Sequence, residues 1–132
     1  MGFKLGSEDR ESIFKKIPWK KTSIYRKNDL EDGVLAEANN DGTIYIDSNI
    51  PKDSKAYKKI IRHELKHMED MEEGKADYGD DWVFWEGNIY FRREINGEKV
   101  IDGPAGRLPE GHKDHPWEQS AIKAENDESY GI

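Results

Sequence analysis

Ile60-Ile61-Arg62-His63-Glu64-Leu65-Lys66-His67-Met68-Glu69-Asp70 is the stretch on which the rest of the chain turns, because it holds His63, Glu64 and His67 in the order His-Glu-x-x-His. Residues four apart on an α-helix stand one turn from each other on the same face. Both imidazoles can therefore reach a single metal ion, while Glu64 is directed at whatever that ion holds. The same five residues could arise by chance on a solvated, charged helix face, but their surroundings argue against chance. Ser54 is placed to cap a helix, the run 54–73 contains neither Gly nor Pro, and Gly74 supplies a stop. Tyr57, Ile61, Leu65 and Met68 recur at helical spacing and form an apolar stripe beside the His63/Glu64/His67 face. One side of this helix is expected to meet a core and the neighbouring side to carry chemistry.

Two histidines leave a zinc ion half-bound, since hydrolytic zinc sites use three protein ligands and keep one position open. The chain has no Cys, which removes thiolate ligands and disulfides and leaves the third position to His or a carboxylate. The first candidate is Glu118, in the run His115-Pro116-Trp117-Glu118-Gln119-Ser120-Ala121. Asp114 or His115 can cap a second helix there, and Pro116 suits its first turn. Small Ser120 and Ala121 would let that helix approach the first one closely. A first-turn acid also suits the helix dipole without binding anything, which is the plainer account of Glu118. His115 is the second choice for the third ligand, and His112 is a further one. Of Asp70, Glu72 and Glu73 only Asp70 turns near the motif face, and one straight helix rarely supplies three ligands in tetrahedral geometry.

Working outward, the runs Gly33-Val34-Leu35-Ala36-Glu37-Ala38 and Thr43-Ile44-Tyr45-Ile46-Asp47 flank Asn39-Asn40-Asp41-Gly42, and read as a β-hairpin feeding into the first helix. Beyond that helix, Trp82, Phe84, Trp85, Tyr90 and Phe91 surround Glu86-Gly87-Asn88 as a second hairpin. Asn96-Gly97 then turns the chain into Lys99-Val100-Ile101. So dense an aromatic group belongs in a core or on a hairpin packed against the domain, with a substrate-facing wall as the alternative. Residues 102–115, rich in Gly and Pro, read as a loop. Near the N-terminus, residues 1–10 read as a loose tail, 11–17 as a short helix ended by Pro18, and Trp19 to Arg26 as a strand.

At 132 residues the chain fits one domain, and with 34% hydrophobic and 37% charged residues its core must be small. A net charge of −7 argues against a nucleic-acid or anionic-membrane partner, because phosphate would be repelled. The cluster Lys15, Lys16, Lys20, Lys21, Arg26 and Lys27 is followed at once by acids and reads as a solvated face. No run reaches transmembrane length and the first residues lack the apolar core of a signal peptide. The expectation is a soluble, cytoplasmic protein or one packaged from the cell into a virion.

With these pieces in place, the chain resembles the gluzincin branch of the zincin metallopeptidases, in its small single-domain forms. The resemblance is carried by the hairpin GVLAEANNDGTIYID, the His63-Glu64-Leu65-Lys66-His67 helix, and the later helix bearing Glu118 with Ala121 three positions on. It implies an α+β fold in which a small twisted antiparallel or mixed sheet packs on the HExxH helix. A hairpin insertion over 82–101 and a C-terminal glutamate-bearing helix complete it. It further implies one zinc ion on His63, His67 and Glu118, Glu64 as general base, and a peptide or protein substrate pairing with an exposed edge strand near Val34 to Ala38. An oxyanion-stabilising His or Tyr is expected from His112, His115, Tyr90 or Tyr130. The competing expectations are a binding module that keeps the scaffold and docks a partner on its edge strand or aromatic hairpin, and a structural component, such as one of a virus particle, that zinc merely stabilises.

Overall fold

The computed structural model describes residues 2–5 and 22–130, which form an α+β fold of nine strands and two helices. The expected helix over 11–17 and the Trp19–Lys21 part of the expected strand lie outside the described residues; the remainder of that strand is β2 (Ser23–Lys27).

The first hairpin forms as read. In β3 (Val34–Ala38) and β4 (Thr43–Asp47), paired antiparallel, Ala36, Ala38, Ile44 and Ile46 alternate inward and are fully buried, while Glu37 and Tyr45 turn outward. Asp41 closes the turn by accepting from both the Thr43 amide (3.1 Å) and its hydroxyl (2.6 Å), and Gly42 takes a positive φ of 91°. β2 pairs parallel with β4 on one side, and β1 (Gly2–Leu5) pairs parallel with β3 on the other, giving the order β1-β3-β4-β2. Two expectations change here. Gly2–Leu5, read as part of a loose tail, form a strand, and Val34–Ala38, expected at the exposed edge, is an interior strand because β1 covers it.

The inward face of this sheet meets α1 (Lys55–Glu72). Ser54 caps it, its hydroxyl accepting from the Tyr57 amide at 3.1 Å, and Gly74 lies just beyond its end at φ 79°. Tyr57, Ile60, Ile61, Leu65 and Met68 pack onto Ala36, Ala38, Ile44 and Ile46 as one aliphatic core.

The chain then builds a second, five-stranded antiparallel sheet, β5 (Ala76–Tyr78), β6 (Trp82–Trp85), β7 (Asn88–Ile95), β8 (Glu98–Gly103) and β9 (Gly106–Pro109), each beside the last. Its two-residue turns at Glu86-Gly87 and Asn96-Gly97 have positive φ at both positions, as tight hairpins of this twist require. β9 corrects the reading of 102–115 as loop. Gly103 and Gly106 pair across Pro104-Ala105, and Pro109, which lacks an N–H, is tolerated because it ends an edge strand.

Val83 and Trp85 join Ala76, Tyr78, Ile101 and Trp117 in a second core with Tyr90 packed against it, while Trp82 and Phe84 of the same hairpin are half-buried. On the opposite face of β7, Ile89 and Phe91 are exposed. Trp117 belongs to α2 (Pro116–Glu125), which lies along α1, with Ser120 donating to Asp70 at 2.8 Å and fully buried Ala121 at the contact. Met71, at the end of α1, touches both cores. The hairpin turn of the first sheet is tied to the second where the Asn40 amide donates to the Tyr78 hydroxyl at 3.1 Å. No helix among the described residues is long and apolar enough to cross a membrane.

Candidate metal centre

His63 and His67 leave α1 on consecutive turns with ring centroids 4.9 Å apart and planes at 77°. Glu118 enters between them from the first turn of α2. Its Oε1 lies 2.8 Å from His63 Nε2 and 3.1 Å from His67 Nε2, and one donor atom from each of the three residues falls within 4.8 Å of the other two. Two facts of sequence bring this about. Pro116 at the start of α2 fixes where its first turn begins, and Ser120 and Ala121 let that turn approach α1.

Glu64 is fully buried, 4.0 Å from His63 Nε2, and neither of its carboxylate oxygens has a hydrogen-bond partner among the described residues; the same is true of Glu118 Oε2. A buried carboxylate without partners costs several kcal/mol by order of magnitude unless a cation or a proton offsets it. Burial pushes the Glu64 carboxyl up to about 7, against the pull of the His67 and His63 imidazoles. Burial would lower His63, but its hydrogen bonds to Glu118 and Glu125 and the charges of Glu64 and Glu118 outweigh it, holding the imidazole at about 10. Glu118 would also be raised by burial, yet His67 and the hydrogen bonds from both histidines hold it at about 2. Two buried carboxylates, Glu64 and Glu118, thus stand beside the point where the three donor atoms meet, and the raised His63 imidazole answers their charge. Two imidazoles and one carboxylate form the kind of donor set that zinc takes.

The remaining expected residues are elsewhere. His115 is the N-cap residue of α2 but gives no side-chain cap; its Nε2 donates to the Pro109 carbonyl at 2.8 Å and its ring stacks on Trp117 at 4.6 Å, outside the His63/His67/Glu118 group. His112 Nδ1 accepts from the Asp114 amide, Tyr90 stands edge-on to Trp117 and the Tyr130 hydroxyl donates to Glu69, so all three are engaged in local structure. Asp70 is buried in the contact between the helices, bonded to Ser120 and paired with Lys66 at 3.3 Å.

One residue of the site escapes a reading of the motif alone. Glu125 Oε1 lies 2.8 Å from His63 Nδ1. Its signal in the sequence is its spacing, since seven residues after Glu118 is two helical turns and hence the same face of α2.

No family model, curated protein or solved structure matches this chain. What the centre can do follows from its own donor set.

Proposed function

We propose that the protein is a zinc-dependent peptidase of zincin-like architecture, in which His63, His67 and Glu118 hold one zinc ion and Glu64 is the general base. The observation that carries this reading is the convergence of those three donor atoms next to a fully buried Glu64 whose oxygens have no hydrogen-bond partner among the described residues. Zinc in such a site supplies Lewis-acid chemistry, acidifying a water and polarising a carbonyl. Glu64 accepts the proton of the attacking water at one carboxylate oxygen and delivers it to the departing amine, a task suited to a carboxyl that burial has pushed towards neutrality. His63 and His67 are held by a single helix and Glu118 by its neighbour, so their spacing is set before any substrate arrives. The gluzincin resemblance supports a peptide bond as the one hydrolysed.

Metal analysis of the purified protein and digestion of a peptide library test the reading together. Wild type should carry zinc and cut peptides, and Glu64→Gln should keep the zinc while losing about 100- to 10,000-fold in turnover. Unchanged turnover would remove Glu64 as the base. Glu118→Ala should lose the zinc.

A second reading, a scaffold that binds a partner without cutting it, draws on the exposed Ile89 and Phe91 of β7. Bound zinc with no cleavage of any peptide would favour it.

A further inference from the structure

The two imidazoles of the centre are not equivalent. His63 is gripped at both ring nitrogens, with Nε2 against Glu118 and Nδ1 against Glu125 at 2.8 Å each, whereas His67 Nδ1 is buried without a hydrogen-bond partner among the described residues. Glu118 and Glu125 stand two turns apart on one face of α2, about 10 Å along its axis, and the imidazole spans the gap between their carboxylates. Glu125 is itself anchored from α1. Its backbone carbonyl accepts from Arg62 Nε at 3.1 Å, and its second carboxylate oxygen pairs with Lys59 Nζ at 3.6 Å. A chain of contacts therefore runs from Lys59 at the surface through Glu125 to His63 in the interior.

We infer that Glu125 is the positioning residue of the metal centre, receiving the Nδ1–H of His63 so that the Nε2 lone pair is kept for the ion. This rests on the zinc reading above. A carboxylate in that place fixes the tautomer and ring angle of a ligating histidine and strengthens it as a donor, and loss of such a partner costs about 10- to 100-fold in metal affinity. His67 has no comparable support among the described residues, so the affinity of the centre depends on the side of His63. The pairing with Lys59 is half-exposed and holds the helix end without acting on the imidazole.

The test is zinc affinity by competition with a chromogenic chelator, with long-range proton–nitrogen correlation spectra of the histidines in the zinc-loaded protein. Glu125→Ala should bind zinc about 10- to 100-fold more weakly and lose the exchange-protected Nδ1 proton of His63. Glu125→Gln, which can still accept that proton from the ring, should retain the Nδ1 signal and fall between the two. Lys59→Met should lower the melting temperature slightly and leave zinc affinity within twofold of wild type, which a merely structural role for Glu125 would not produce. Equal zinc affinity in wild type, Glu125→Ala and Glu125→Gln would overturn the inference while leaving the zinc reading intact. A wild-type protein that takes up no zinc would overturn both.

Discussion

The two halves of this molecule are stabilised differently. The first sheet is one hairpin, β3 and β4, flanked on each side by a parallel strand, over an aliphatic core of Ala36, Ala38, Ile44, Ile46, Ile61 and Leu65. The second is a run of adjacent hairpins over a core built on Tyr78, Trp85 and Trp117. α1 packs in the first core and brings both histidines. α2 packs through Trp117 in the second and brings Glu118. The donor set is therefore divided between the halves, and it is complete only when they dock.

The strongest way to break this contrast is to empty one core and watch the other half's ligands. Trp117→Ala should destabilise the protein by about 3–5 kcal/mol in urea unfolding and abolish zinc uptake, although both histidines sit on α1. Ile61→Ala should cost about 2–5 kcal/mol in the first core with the same loss of zinc. Zinc affinity untouched by Trp117→Ala would show that α2 is held by something other than its core. Because Met71 touches both cores, each variant should still unfold in a single transition, and two separate transitions would mean independent halves.

A smaller effect is expected at Gly103, where an added Cβ would lie 2.2 Å from the Tyr90 ring that packs against Trp117. Gly103→Ala should lower stability by about 1–3 kcal/mol, read as a drop in the urea midpoint. Ser120→Ala removes the hydrogen bond to Asp70 between the helices and should cost about 1 kcal/mol, with zinc affinity falling in step as Glu118 loosens. The smallest effect belongs to the exposed rim of the second sheet. There Arg107, with Arg93, holds the Asp102 carboxyl below its ordinary value of 3.8. A depressed folded-state value contributes stability that is present above that ordinary value and lost as pH falls through the folded one. The melting temperature of wild type should exceed that of Asp102→Asn slightly near neutrality, and the gap should close at strongly acid pH. A gap that persists there would assign the effect to packing.

Much of the fold was legible because short-range rules govern it. Ser54, the apolar stripe of α1 and Gly74 bound one helix, and Asn-Gly or Asp-Gly turns with alternating neighbours mark hairpins, since capping, periodicity and left-handed turns act within a few residues. Strand β9 was not legible. Its Gly and Pro content reads as loop until the edge position of the strand makes Pro109 harmless. The pairing of β1 with β3 was not legible either, because a four-residue strand has no pattern that names a partner thirty positions away. His115 stood second to Glu118 as a ligand by sequence, and only the carbonyl of Pro109 and the ring of Trp117 show where it is spent.

By itself the sequence determined that two imidazoles and a glutamate would share one helical face, since that needs only a turn of 3.6 residues. It also determined that a second helix would begin with an acid in its first turn. The tertiary structure brought that acid, Glu118, within hydrogen-bonding distance of both rings and put Glu125 on the far side of His63. Those contacts depend on how closely and at what register two helices separated by 43 residues dock, which is set by Ser120, Ala121 and two separate cores.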